Sequence, residues 1–157
     1  MHPLRTYVDT SVLGGPFDRE FKEDSEAFMD CIVRGRIAPV LSDVVMGEVS
    51  DAPRQVQRLL NDLIDGGAEM LKSSEDAVKL QEAYLKSGVL ARSCEHDAMH
   101  VALATVARVD VIASWNFKHL LDPRRSRGFN GVNLIMGYGL LSVLSPSDIV
   151  RYLENRK

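Results

Sequence analysis

The sequence predicts an α/β fold, a three-layer α/β/α sandwich around a central, mostly parallel sheet. Three observations predict it. Short apolar or β-branched runs alternate with longer stretches whose apolar residues recur at helical spacing. That alternation favours parallel strands joined by helical crossovers. It runs from end to end without an internal repeat or low-complexity tract, and 157 residues suit one domain with a real core, so 1–157 is read as a single domain.

Tyr7 and Val8 suit a strand, and Asp9-Thr10-Ser11 suits a turn from strand to helix. Gly14-Gly15-Pro16 then breaks structure into a loop. A helix is expected from Glu20 to Arg34, with Ala27, Phe28, Cys31 and Ile32 on one side and Gly35 at its end. Ile37 to Leu41 reads as the second strand. Ser42 caps the next helix, which carries Val44, Val45, Met46, Glu48 and Val49. Pro53 opens another helix, whose stripe is Val56, Leu59, Leu60, Leu63 and Ile64.

Gly66-Gly67 marks a turn, and Ala68 to Leu71 a short strand. Ser73-Ser74-Glu75-Asp76 opens a helix that reaches Lys86 and stops at Gly88. An Ala-rich helix from Cys94 to Ala107 leads to a β-branched strand, Val109 to Ala113. Ser114-Trp115-Asn116-Phe117 follows, then a basic loop through Arg127. Leu140 to Leu144 is the last expected strand, and Ser147 to Asn155 a closing helix entered through Pro146.

Composition is that of a globular domain: 45% hydrophobic and 26% charged residues. No basic segment followed by an apolar run opens the chain, and charges interrupt every stretch of membrane-spanning length. A cytoplasmic location with no membrane partner is expected. The two cysteines, Cys31 and Cys94, read as buried thiols. A formal net charge of −3 excludes coating nucleic acid by bulk charge, yet leaves room for a basic patch beside an acidic, metal-neutralised pocket.

Four positions can meet in one crevice. Asp9 ends the first strand, and Asn116 lies just past the fourth. Glu48 sits about 9 Å along its helix from Ser42 at the standard rise per residue. Asp97 stands near the start of the Ala-rich helix. In a doubly wound sheet the carboxyl ends of neighbouring strands share one crevice. Three carboxylates and an amide are all oxygen donors, the set that suits Mg²⁺ or Mn²⁺. Each has an ordinary alternative: a helix cap for Asp9, a solvated helix face for Glu48, a first-turn acid for Asp97.

The motifs Y-V-D-T-S-V-L, S-D-V-V-M-G-E, H-D-A-M-H-V-A-L-A and V-I-A-S-W-N-F-K-H-L, then G-Y-G-L-L and S-P-S-D, stand in the order of a PIN domain. The chain resembles that family over nearly its whole length, and within it the solitary prokaryotic members that include VapC-type toxins. The resemblance implies a metal-dependent endoribonuclease that hydrolyses RNA phosphodiester bonds, the toxin component of a toxin–antitoxin pair. It carries Asp9, Glu48 and Asp97 onto the family's first three acids, as ligands of Mg²⁺ or Mn²⁺. The fourth position, often Asp in the family, is Asn116 here. An amide contributes no charge and is a poor base. That departure keeps an alternative open: a catalytically weak PIN-like module for RNA binding or protein interaction.

Around this set, Ser11 and Ser114 are expected to donate hydrogen bonds at the site, with turn chemistry as their plainer role. Lys118, His119, Arg124, Arg125 and Arg127 are placed to meet a phosphate backbone, and Trp115 or Phe117 to stack a base. His96 and His100, four apart, imitate a zinc-protease helix; a packed or hydrogen-bonded His100 and an exposed His96 are the commoner fates. Excess apolar surface on the two early helices suits a homodimer or a helix-donating antitoxin.

Overall fold

Strands β1 (Leu4–Val8), β2 (Ile37–Ser42), β3 (Glu69–Leu71), β4 (Val111–Ala113) and β5 (Ser142–Leu144) form one sheet in the order β3-β2-β1-β4-β5. This is the arrangement in a computed structural model that describes residues 2–156. All four pairings are parallel, with Tyr7 opposite Val40 on one side and Ile112 on the other. The chain steps outward from β1 to β2 and β3, then crosses back to β4 on the far side of β1. The junction of β1 and β4 is therefore the switch point at which open α/β sheets form a crevice. Tyr7, Val8, Ile112 and Ala113 are wholly buried, as expected of central strands covered on both faces.

Helices α1 (Thr10–Gly14), α2 (Lys22–Val33), α3 (Asp43–Val49) and α4 (Arg54–Asp65) come from the first half, α5 (Glu75–Ser87), α6 (Glu95–Val106), α7 (Pro123–Ile135) and α8 (Pro146–Glu154) from the second. α2 packs with α8, while α5 packs against α6 and α7. These are the two outer layers of the expected sandwich. Ser42, Ser74 and Ser145 cap α3, α5 and α8 through their hydroxyls, as sequence position predicts. Arg5 ties the sheet edge together: its guanidinium forks onto both carboxylate oxygens of Glu69, two strands away.

Two expectations need correction. The stretch after Phe117 does not stay a basic loop: α7 begins at Pro123, capped by Asp122, and places Arg124, Arg125 and Arg127 on a helix. Its Gly128, Gly131 and asparagines argue against helix locally. Tertiary contacts override them: Phe129 meets Tyr84 edge-on, and buried Asn133 accepts the Tyr84 hydroxyl proton. Gly14-Gly15-Pro16 does not open a loop but passes from α1 into a 3₁₀ turn, Gly15–Phe17. Gly15 is needed there for close approach, since a Cβ would lie 2.1 Å from Ser25 Oγ and 2.8 Å from Trp115 Nε1. Phe28, Val56, Leu60 and Leu63 are buried in the core, the default reading of these two apolar stripes, which leaves them unavailable to a partner. The most exposed large apolar side chains are instead Val33, at the end of α2, and Ile135, at the end of α7, each 85% exposed.

α6 ends with Arg108 in the left-handed region, φ 56°, where Gly35 and Gly137 serve other helices. A side chain there costs roughly 1–2 kcal/mol, of which glycine's extra unfolded freedom returns roughly 0.5–1 kcal/mol. Arg108→Gly is expected to raise stability in chemical denaturation by about 0.5–1 kcal/mol. An unchanged or lowered midpoint would show that the turn carries no such strain.

Candidate active site

Asp9 follows β1 directly and is 4% exposed. It occupies the N-cap position of α1 but makes no side-chain cap bond, so the carboxylate is free for other use. Its Oδ2 accepts hydrogen bonds from Ser11 Oγ and Ser114 Oγ, each at 2.8 Å. Those hydroxyls accept in turn: Ser11 from the Trp115 N–H at 3.0 Å, Ser114 from the Asn116 N–H at 2.9 Å. The loops after β1 and β4 are thus sewn together through one carboxylate oxygen. Ser11 and Ser114 each have a single hydroxyl proton, and in this arrangement it goes to Asp9.

Glu48 reaches the same junction from α3. Its Oε1 accepts from Thr10 Oγ1 at 3.0 Å and is hydrogen-bonded to His100 Nε2. His100, on α6 and 1% exposed, joins Tyr7 Oη at 2.6 Å through its other ring nitrogen, and Tyr7 Oη joins Ser42 Oγ at 2.7 Å. His100 Nε2 also lies 3.6 Å from Asp9 Oδ1. Burial pulls the imidazole pKa down, but the Glu48 hydrogen bond and the charges of Asp9, Glu48 and Asp97 outweigh it and hold it above its ordinary value. Burial pushes Glu48 up, but His100 and Thr10 hold it below the usual carboxylate range. Burial also pushes the Tyr7 phenol far up, so it remains a hydroxyl. The chain of bonds serves either form of His100. Neutral, its Nδ1 accepts from Tyr7; protonated, it donates, and Tyr7 turns its proton to Ser42.

Asp97, in the first turn of α6, points to the other wall. Its Oδ2 meets His119 Nδ1 at 2.9 Å. Asn116 Oδ1 accepts the His119 N–H at 3.0 Å, which turns the chain after β4 back toward α6. The Asn116 amide nitrogen is thereby left as the group it offers to a ligand. Cys94, expected to be buried, is only partly so, with its sulfur 3.7 Å from His119 Nε2. Cys94, Asp97 and His119 have ligand atoms all within 4.8 Å of one another.

The remaining sequence-derived residues divide. Lys118 is exposed beside the crevice. Arg124 lies on the first turn of α7, 3.8 Å from Asp122, with its side chain 88% exposed. Arg125 turns its guanidinium away, onto the Val89 carbonyl. Trp115 is buried, stacked on Phe21 at 4.3 Å and donating to Ser25 Oγ, whereas Phe117 is 57% exposed. His96 is exposed, whereas His100 is buried. Neither the Tyr7–His100 link nor the turn of His119 onto Asp97 was visible in sequence; a tyrosine two residues before Asp9 was the one signal of the former.

By chemistry the three acids are donors for a hard cation, but the structure keeps them on two walls: Asp9 and Glu48 meet at His100, and Asp97 turns to His119. Among the described residues the one cluster of three ligand atoms within 4.8 Å is Cys94, Asp97 and His119. Among the described residues, Asp9, Glu48 and Asp97 each engage one carboxylate oxygen in hydrogen bonds (Oδ2, Oε1 and Oδ2) and leave the other. Oxygen donors of this charge are the ligands that Mg²⁺ and Mn²⁺ take.

Two solved structures share the fold. One is FitAcB from Neisseria gonorrhoeae, at 16% identity and a TM-score of 0.55, covering 90% of this chain and 97% of that one. The other is FitAB bound to an IR36 DNA fragment, at 16% identity and a TM-score of 0.57, covering 90% and 95%. No family model and no curated protein matches the chain. Among the described residues no helix is long and apolar enough to cross a membrane.

The clamp on Asp9 has a measurable cost of removal. Ser114→Ala is expected to destabilise the fold by about 1.5–3 kcal/mol, the range for a bond to a charged group. In an Asp9→Asn background the cost should shrink, and equal costs in both backgrounds would assign the loss to something other than the carboxylate.

Proposed function

We propose that the protein is a Mg²⁺- or Mn²⁺-dependent endoribonuclease, the toxin component of a toxin–antitoxin pair acting in the cytoplasm. The observation that carries this reading is the buried Asp9 carboxylate at the switch point, with one oxygen clamped by two serines and the other 3.6 Å from His100 Nε2, which also holds Glu48. The family resemblance and the shared fold support it. Asp9, Glu48 and Asp97 would hold the cation. When bound, such an ion polarises the phosphate and lowers the pKa of an attacking water.

The chain's own groups have separable tasks. Ser11 and Ser114 hold Asp9 in one orientation. His100 and Thr10 fix Glu48, and the depressed Glu48 pKa keeps it anionic, suited to a cation or to orienting water. Asn116, its oxygen occupied, would donate from its amide nitrogen to a phosphate oxygen. Lys118 and Arg124 would meet the RNA backbone by charge, and Phe117 is the exposed aromatic available to a base. In the reaction water oxygen bonds to phosphorus, the phosphorus–oxygen ester bond breaks, and the departing oxygen takes a proton.

FitAB was solved on DNA, and that likeness supports a protein partnered with an antitoxin. A homodimer is also part of the reading. A second reading, an RNA-binding or protein-binding module with weak catalysis, is favoured by Asn116 alone, because its oxygen is taken by a backbone N–H and it adds no charge.

RNA cleavage should require added Mg²⁺ or Mn²⁺ and stop with EDTA, and Asp9→Asn or Asp97→Asn should lower it at least about 100-fold in natively folded variants. Undiminished cleavage in both variants would overturn the proposed site. RNA binding without turnover at millimolar Mn²⁺ would favour the second reading.

A further inference from the structure

Cys94, Asp97 and His119 bring a thiol, a carboxylate and an imidazole to one point at the rim of the crevice. Cys94 closes a 3₁₀ turn, Arg92–Cys94, immediately before α6, and Asp97 lies three residues on. Their side chains therefore share a face. His119 arrives from the turn after β4. That turn is itself anchored: the His119 N–H is held by Asn116 Oδ1, and the Asn116 N–H by Ser114 Oγ. Two separate parts of the chain are thus fixed before any ion binds.

The spacings to His119 Nδ1, the nitrogen that faces both other ligands, are close to those of a tetrahedral ion. Sulfur at about 2.3 Å and nitrogen at 2.0–2.1 Å from zinc stand about 3.6 Å apart at a tetrahedral angle. Cys94 Sγ lies 3.7 Å from His119 Nε2 and 3.8 Å from Nδ1. Asp97 Oδ2, at 2.9 Å from His119 Nδ1, needs only a few tenths of an ångström of retreat to admit the ion. The Asp97 and His119 side chains are 24% and 23% exposed, which leaves a route in and room for a water ligand. A thiolate excludes the hard cations that the neighbouring acids suit and selects a borderline one.

We propose that Cys94, Asp97 and His119 form a zinc site with three protein ligands and a fourth position open to water. Binding takes the thiol proton into solvent, since the ligand is the thiolate. Asp97 belongs to both sites. One consequence rests on the nuclease reading above: zinc on Asp97 removes a ligand from Mg²⁺ or Mn²⁺ and so inhibits cleavage.

The test needs no activity. The full chain, stripped of metal, is titrated with Co²⁺ and then with Zn²⁺. One equivalent of Co²⁺ should produce a near-ultraviolet thiolate-to-cobalt charge-transfer band, and one equivalent of Zn²⁺ should erase it. Cys94→Ser should abolish the band, and His119→Ala should weaken zinc binding at least about tenfold. Cys31→Ser and Glu48→Gln should retain it; the latter, at a residue of the nuclease reading that does not touch the Cys94–Asp97–His119 cluster, separates this site from that reading. Absence of the band, its survival in Cys94→Ser, or its loss in Glu48→Gln would overturn the proposal.

Discussion

Withdrawing the Asp9 carboxylate from water at the junction of β1 and β4 is the constraint on which the rest of the structure depends. A buried carboxylate is costly unless hydrogen-bonded. Two serines meet that need, one from each loop, and each is fixed by a backbone N–H from the loop after β4. Compensating one acid thus sets the path of the chain through Trp115 and Asn116. Trp115 is carried onto Phe21 and Ser25, which in turn leaves no space for a Cβ at residue 15. The position of His119 follows from Asn116.

The features legible in sequence were those whose cause is local. Strand ends announce themselves by an abrupt change from β-branched to small polar residues, so Asp9, Ser11, Ser114 and Asn116 were found together at the carboxyl edge. Serine caps at Ser42 and Ser74 fixed the starts of α3 and α5. The helix α7 was not legible, because Gly128 and Gly131 lower its local propensity and the stabilising partners, Tyr84 and Thr105, lie on α5 and α6. Nor was the approach of His119 to Asp97 and Cys94. A histidine in a run of basic residues reads as one more cation until the Asn116 turn decides which way its ring faces.

The same distinction explains which basic residues stay near the crevice. Spacing alone groups Lys118, Arg124 and Arg125. Once α7 forms, Arg125 belongs to the packing of that helix, with its guanidinium on the Val89 carbonyl, while Arg124 stays exposed 3.8 Å from Asp122. On the proposed nuclease reading, phosphate binding at the crevice would lean on donors fixed in position, such as the Asn116 amide, as well as on charge.

One rigid element ties the two chemistries together. Residues 98–105 of α6 are buried on every side, and the alanines at 98, 102 and 104 allow its neighbours to pack closely around it. From this fixed axis His100 points to Glu48 and Asp9, while Asp97, three residues earlier, points to His119 and Cys94. A helix so enclosed cannot rotate to serve one side at the expense of the other. On the two proposals above, Asp97 would answer both walls from one position: a hard cation would draw it toward Asp9 and Glu48, and a thiophilic one toward Cys94.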